Sequence, residues 1–217
     1  MAMDAARQLR DEIVTTEAAD GKRICLRSIR QSDELRMREG IAQLSEQSRY
    51  LRFFSVQPMP SDPVIDRLLD ADGHDHIAWG AIHLNDDDNP AVGAVHAIRQ
   101  QDEPRSGEFS IAVLDAYHGL GIARMLTTVL LIHCETEAIC ELEVQTLAEN
   151  VPVIRFILSL GAQRVDSEAG VIGYRLPVRP AIQRISASSK LKGVQDILAA
   201  LGGFVAQGDG PCAPGGR

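Results

Sequence analysis

The sequence predicts an α/β domain in which strands and helices alternate along the chain. Three observations carry that expectation. Of 217 residues, 45% are hydrophobic and 24% charged, with no internal repeat, the balance of a globular chain that can bury a core. Two strand-like runs, residues 76–84 and 91–99, flank Asn85-Asp86-Asp87-Asp88-Asn89-Pro90, a turn-rich acidic segment of the kind that joins a hairpin. A third run, 107–114, enters a glycine-rich turn that opens a long helical pattern over residues 119–137.

The remaining elements follow in order. Residues 1–22 read as a polar leader, since no clear apolar period follows Val14. Over residues 23–29, Ile24, Leu26 and Ser28 alternate with Cys25, Arg27 and Ile29, which predicts a strand. Ser32-Asp33-Glu34 starts a helix with Ser32 as its cap, and Leu35, Met37, Ile41 and Leu44 supply the stripe. Residues 45–54 form a second helix, with Pro58 and Pro60 beyond its end. Asp62-Pro63 opens a third helix carrying Val64, Ile65, Leu68 and Leu69, because proline is tolerated in a first turn. In the long helix, Ile122, Leu126, Val129, Leu130 and His133 share one face. Residues 142–146 form a short strand, 152–160 a helix with Gly161 just past its end, and 164–166 and 171–176 closing strands. Past Pro177 the pattern weakens. Leu191, Val194, Ile197, Leu198 and Leu201 are spaced for one helix over 186–201. Residues 202–217, rich in glycine and holding Pro211 and Pro214, read as a flexible tail. The expected domain is therefore residues 23–177, with a C-terminal extension over 178–217.

Charge and cysteine usage narrow the function. The net charge is -8, which argues against nucleic acid as the main partner. Only three of the basic residues are lysines: Lys22, Lys190 and Lys192. No apolar run reaches the ~18–20 residues that a membrane-spanning helix needs. Cys25, Cys134, Cys140 and Cys212 include no C-x-x-C pair, so a zinc ribbon or redox motif is not indicated. Without a secretory signal, all four read as reduced thiols in the cytoplasm.

The sharpest local signal is Leu114-Asp115-Ala116-Tyr117-His118-Gly119-Leu120-Gly121-Ile122-Ala123-Arg124. A strand runs into a glycine turn, and the turn opens a helix. The first amides of a helix have no partner within it, and its dipole is positive there, so that end suits a phosphate. Gly119 and Gly121 permit close approach to the backbone, and Arg124 adds a cation. A short G-x-G is weak by itself, since it also serves tight turns and close packing. It lacks the third glycine and later acid of a dinucleotide fingerprint.

His118-Gly119-Leu120-Gly121-Ile122-Ala123 resembles the Q/R-x-x-G-x-G/A signature of the GNAT superfamily of acetyl-CoA-dependent N-acyltransferases, with His118 where Gln or Arg is usual. Asn150-Val151-Pro152, running to Leu160-Gly161-Ala162, resembles that family's second landmark, with Ala162 in place of an aromatic. Leu26-Arg27-Ser28-Ile29-Arg30, the stretch Leu44-Ser45-Glu46-Gln47-Ser48-Arg49-Tyr50-Leu51-Arg52-Phe53-Phe54, and Gly107-Glu108-Phe109-Ser110 resemble Pat-type bacterial protein lysine acetyltransferases. The resemblance spans residues 23–177. It implies a mixed, mostly antiparallel central sheet flanked by helices, acetyl-CoA as cosubstrate, a primary amine as acceptor (a protein lysine in the Pat group) and a homodimer.

It also implies roles. The amides of Gly119, Leu120, Gly121, Ile122, Ala123 and Arg124, beside His118, hold the pyrophosphate. The backbone of Ile111, Ala112 and Val113 pairs with the pantetheine arm and helps polarise the thioester, and Asn150 lies beside the cofactor. Glu108 stands at the general-base position. Considered without the family, one glutamate on a strand is more often a solvated residue, here balancing Arg105. The position where many relatives carry a tyrosine acid is Ile157, which has no proton to give. Tyr117 and His118 are the nearby substitutes. His74-Asp75-His76 is favoured as a polar strand entrance over a metal site, and Asp86-Asp87-Asp88 as a hairpin tip over a cation site. Trp79 and the Phe53-Phe54 pair read as core, whereas Arg49, Tyr50 and Arg52 lie on the acceptor-side helix. Two rivals accompany the lysine reading: acetylation of a small amine, and an acyl-CoA-binding module without turnover.

Overall fold

The computed structural model describes residues 8–84, 88–205 and 211–212. After a helical turn at residues 8–11 come β1 (Ile13–Glu17), β2 (Arg23–Ser28), α1 (Glu34–Gln43), α2 (Glu46–Phe53), α3 (Asp62–Leu69), β3 (His76–His83), β4 (Ala91–Arg99) and β5 (Ser106–Val113). The chain continues through α4 (Ile122–Thr136), β6 (Glu141–Leu147), α5 (Val151–Ser159), β7 (Gln163–Glu168), β8 (Val171–Pro177), α6 (Val178–Ser188) and α7 (Lys192–Leu201). The strands form one sheet in the order β1-β2-β3-β4-β5-β6-β8-β7. Every neighbouring pair is antiparallel except β5 and β6, which run parallel. The mixed, mostly antiparallel expectation is therefore met. The hairpin between β3 and β4 is present, while positions 85–87 of its acidic loop lie outside the described residues, as does most of the glycine-rich tail.

The sheet is covered on both faces. On one side α4, fully buried from Met125 to His133, packs with α6 and α7 over Trp79, Val95, Leu142 and Leu176. Trp79 has no exposed surface, and its indole N–H donates to His133 Nδ1 at 3.0 Å. Burial pushes the His133 imidazole down to about 4, so at neutral pH it is the acceptor this indole needs. On the other side Ile41, Ile65 and Leu69 pack against Ile29 and Ala78, which places α1 and α3 on this face, with α1 against β4.

Four local features differ from the sequence expectation. β1 lies inside the stretch read as a polar leader and joins the sheet edge, with Val14 and Thr16 buried. Ser32 does not cap α1. A 3₁₀ turn, Gln31–Asp33, precedes the helix, and the Asp33 carboxylate closes it by accepting from the Arg30 amide (2.9 Å) and the Arg27 guanidinium (2.8 Å). Beyond Pro177 there are two helices rather than one. α6 places Val178, Ala181, Ile182 and Ile185 in the core, and α7 adds Val194, Ile197 and Leu201. Gly193 sets the closeness of α7, since a Cβ there would meet Met125 Sδ at 2.1 Å.

The fourth difference concerns the cysteines. Cys140 and Cys212 form a disulfide with Cα atoms 5.0 Å apart, so the reduced state expected for all four does not hold for this pair. Sequence spacing could not show it, because the partners are 72 positions apart. The Arg105 guanidinium holds the same strand of tail, donating to the Pro211 carbonyl at 2.7 Å. Closing so long a loop restricts the unfolded chain, so Cys140→Ser is expected to cost about 2–4 kcal/mol. Thermal melts of wild type with and without reductant, beside the variant, check this. Identical melting temperatures throughout would mean the bridge contributes nothing.

Candidate active site

The site begins where β5 and β6 separate. Their parallel ladder pairs Ser106 with Glu141, Gly107 with Leu142 and Glu108 with Glu143, then stops, while β5 continues to Val113 and β6 to Leu147. On the other edge of β5, the Leu114 amide donates to Val92 and the Ser106 carbonyl accepts from Gln100. Strand alternation then turns the backbone groups of Ala112 towards β4, and those of Ile111 and Val113 into the opening. The sequence-predicted trio thus divides: the peptide groups of Ile111 and Val113 face the opening, where the Val113 carbonyl meets His118, and those of Ala112 face β4.

The chain leaves β5 through a 3₁₀ turn, Asp115–Tyr117, and reaches α4 through Gly119 (φ 76°) and Gly121 (φ 87°). Both glycines occupy the left-handed region that a side chain disfavours. His118 folds back, and its Nε2 lies 2.9 Å from the Val113 carbonyl, which ties the turn to the end of β5. The Met125 amide donates to the Gly121 carbonyl, so Ile122, Ala123 and Arg124 form the first turn, whose amides have no acceptor within the helix. Leu120 is committed differently: its amide donates to the Tyr117 carbonyl at 3.4 Å and its carbonyl accepts from Ala19 at 3.0 Å. Leu191, just before α7, packs on Gly121, where an added Cβ would come within 2.4 Å of its Cδ2. The C-terminal extension thus braces the glycine turn.

Across the opening, Arg124 reaches α5. Its Nη2 donates to Ser159 Oγ at 3.1 Å, and the guanidinium lies 5.8 Å from the Phe156 ring centroid. Asn150 is buried and caps α5, its Oδ1 accepting from the Val153 amide at 3.4 Å. Ile157 is fully buried. The Tyr117 hydroxyl lies 2.9 Å from His83 Nδ1, so the substitute acid suggested by the sequence is anchored to β3.

The other face of the sheet carries Glu108. It is exposed, and alternation sets it beside Ser110 and Ala112. Arg52 from α2 donates to Ser110 Oγ at 2.8 Å. Burial lowers the Arg52 guanidinium to about 10, with Glu108 pulling it back up, and it stays cationic at neutral pH. A cavity of about 90 Å³ between α1 and β2–β5, lined by Met37, Gly40, Ile41, Ala94, Ala112 and Leu114, opens beside this face. Arg49 instead donates to the Leu44 carbonyl at 3.0 Å, holding the start of its own helix. Tyr50 is partly exposed.

Asp115 joins the two halves of the site, and the sequence reading missed it. Its carboxylate accepts from the Ser45 amide (3.0 Å), Ser45 Oγ (2.8 Å) and Ser48 Oγ (2.7 Å). It thereby pins the N-terminus of α2 to the turn that precedes the glycines. The Ser45-x-x-Ser48 spacing was the visible signal; its partner was not local. Burial acts to raise the Asp115 carboxyl, but Ser45 and Ser48, helped by His118, hold it at about 2. The folded value lies below the unfolded ~3.9, so its stabilisation is present above about pH 4 and is lost as pH falls through about 2. Asp115→Ala is expected to cost about 1–2 kcal/mol, read as a lower denaturation midpoint. An unchanged midpoint would show that α2 is held by other contacts.

Among the described residues no three His, Cys, Asp or Glu side chains converge as a metal site. His74 pairs with Glu137, and His76 turns inward.

An antiparallel sheet opened at its one parallel pair, with a glycine turn and a helix N-terminus at the mouth, is the GNAT fold. The Acetyltransferase (GNAT) domain family matches residues 23–163, and the chain belongs to it. The acetyltransferase Pat of Mycolicibacterium smegmatis is 24% identical over 171 residues, which cover 77% of this chain and 49% of that protein. An acetyltransferase of Pseudomonas aeruginosa is 29% identical over 107 residues, covering 49% of this chain and 57% of that protein. The chain thus spans about half the length of these curated relatives. The GNAT domain of S. lividans PAT superposes with a TM-score of 0.70 at 22% identity, covering 76% of this chain and 96% of that domain. No helix among the described residues is long and apolar enough to cross a membrane.

Proposed function

We propose that the chain is an N-acetyltransferase that moves an acetyl group from acetyl-CoA to a primary amine, with a protein lysine as the acceptor. The observation that carries this reading is the placement of three features on one strand and its exit. β5 presents the backbone of Ile111 and Val113 to the opening, ends at an amide-rich helix N-terminus, and displays Glu108 on the opposite face. A thioester held along the first two would meet an amine arriving at the third. Helix amides would bind the diphosphate and peptide N–H groups would polarise the thioester carbonyl. Glu108, exposed, would take the amine proton through a water relay. Ile157 offers no acid, so the departing thiolate would draw its proton from solvent.

Similarity to proteins named Pat supports the lysine acceptor, as do the net charge of -8 and the exposed Glu108 carboxylate, which suit a cationic partner. The reading carries over the cytoplasmic placement, away from membranes and nucleic acid, although the Cys140–Cys212 disulfide is uncommon in that compartment. It carries over the homodimer of the family resemblance, which light scattering on the purified protein measures. The test of function is an acetyl-CoA-dependent screen of small amines and a protein lysate, read by mass spectrometry. Acetylated lysines above the enzyme-free background support the reading. Acetylation confined to small amines replaces the acceptor class, and no labelled product with CoA binding intact favours the binding module.

A further inference from the structure

Behind Glu108 the sheet holds a pair of histidines that the mechanism above leaves unused. His96 on β4 is 3% exposed and His76 on β3 is 7% exposed. His76 Nε2 and His96 Nδ1 lie 3.0 Å apart, and His76 Nδ1 lies 3.1 Å from the Asp70 carbonyl oxygen. These contacts fix the tautomers. A carbonyl only accepts, so His76 Nδ1 carries a hydrogen and its Nε2 is a lone pair. His96 Nδ1 must then donate, which leaves His96 Nε2 as a basic nitrogen. His96 pairs with Ser110 across the ladder, so Glu108 is its diagonal neighbour on the same face, roughly 7–8 Å away. Arg52 bonds Ser110 and acts electrostatically on both Glu108 and His96.

We propose that the His96–His76 pair stores the proton that Glu108 removes from the acceptor amine. The proposal rests on the transferase reading above. The proton passes from the ammonium nitrogen to the Glu108 carboxylate and, through water, forms a bond to His96 Nε2. The hydrogen on His96 Nδ1 passes to His76 Nε2. His96 ends neutral with its hydrogen on Nε2, and His76 becomes the imidazolium, still donating to the Asp70 carbonyl. As products leave and water enters, the same steps in reverse release the proton from His96 Nε2 and restore the starting tautomers.

The surroundings favour charge on the second ring. Burial holds His96 well below its ordinary value, with Arg52 and His76 pushing the same way. Burial also lowers His76, but the Asp70 carbonyl and the Asp72 and Asp70 carboxylates draw it back up against Arg67.

The test combines spectroscopy and kinetics on the full chain. In long-range proton–nitrogen spectra of ¹⁵N-histidine-labelled protein at pH 7.5, both rings should carry their hydrogen on Nδ1, and acidification should charge His76 before His96. A hydrogen on Nε2 of either neutral ring, or His96 charging first, overturns the proposal. With acetyl-CoA and poly-L-lysine, H76Q should lower kcat about tenfold or more, flatten the acid limb of the pH profile, and leave KM for acetyl-CoA unchanged. An H76Q profile superimposable on wild type overturns the store. Wild type that acetylates neither poly-L-lysine nor a panel of small primary amines sinks the transferase reading instead, and the spectra still decide the pair.

Discussion

Replacing Glu108 by Gln is expected to lower kcat about 100-fold or more while leaving CoA affinity unchanged. The substitution keeps shape and hydrogen-bonding reach but removes the capacity to accept a proton, which general-base catalysis requires. Glu108 is exposed on a strand whose neighbours Ser106, Gly107 and Phe109 are buried, so the change should not unsettle the core. Stability and CoA binding therefore serve as internal controls, the first by thermal melt and the second by calorimetry. The Glu108 carboxylate also acts electrostatically on the Arg52 guanidinium, which a neutral glutamine would leave unbalanced. KM for a cationic acceptor should rise with the loss of the carboxylate, and KM for acetyl-CoA should not. Turnover at the wild-type rate would remove Glu108 from the chemistry.

How much of this was legible beforehand depends on whether a feature is local. The central elements were visible, because hydrophobic alternation and helical spacing are short-range signals. The stretch from β3 to α5 was placed to within a few residues for that reason. The largest offset in it is the start of α4, expected at Gly119 and found at Ile122. The helical stripe from Ile122 was clear, but the 3₁₀ turn at Asp115–Tyr117 and two left-handed glycines delay the helix to Ile122. β1 escapes the sequence reading because its strict in–out alternation is not matched by hydrophobicity: Ile13 is exposed and the polar Thr16 is buried. α6 carries a full stripe in Val178, Ala181, Ile182 and Ile185, in the stretch past Pro177 where the sequence pattern reads as weakening; Pro180 sits in its first turn, where proline is compatible with a helix. The site divides in the same way. The glycine turn and Glu108 lie in one contiguous stretch. Asp115 with Ser45, Leu191 with Gly121, and His76 with His96 are pairs that only the folded sheet brings together. Asn150 capping α5 and the engaged peptide groups of Leu120 are likewise contacts that only the folded chain shows.

The two glycines of the turn should separate binding from folding. Gly119 and Gly121 both have positive φ, but their surroundings differ. A Cβ at Gly119 meets nothing within 4 Å, whereas one at Gly121 would lie 2.4 Å from Leu191 Cδ2. Gly119→Asp should therefore fold. Aspartate tolerates the left-handed region better than most residues, at a cost of about 1 kcal/mol. Its carboxylate would stand beside the helix N-terminus where a diphosphate is proposed to bind, and CoA affinity should fall at least about tenfold, or 1.4 kcal/mol. Gly121→Glu combines the same charge with backbone strain and a collision against the brace of α7. It should lose about 2–4 kcal/mol of stability from strain and overpacking together, and its CoA affinity should be read only on protein shown to be folded. Calorimetry and thermal melts on both variants give four numbers. The site assignment requires weak binding with a near-normal melt for Gly119→Asp. Wild-type CoA affinity in that variant would move the pyrophosphate away from this turn. A normal melt for Gly121→Glu would mean that Leu191 yields freely, so that α7 does not brace the turn.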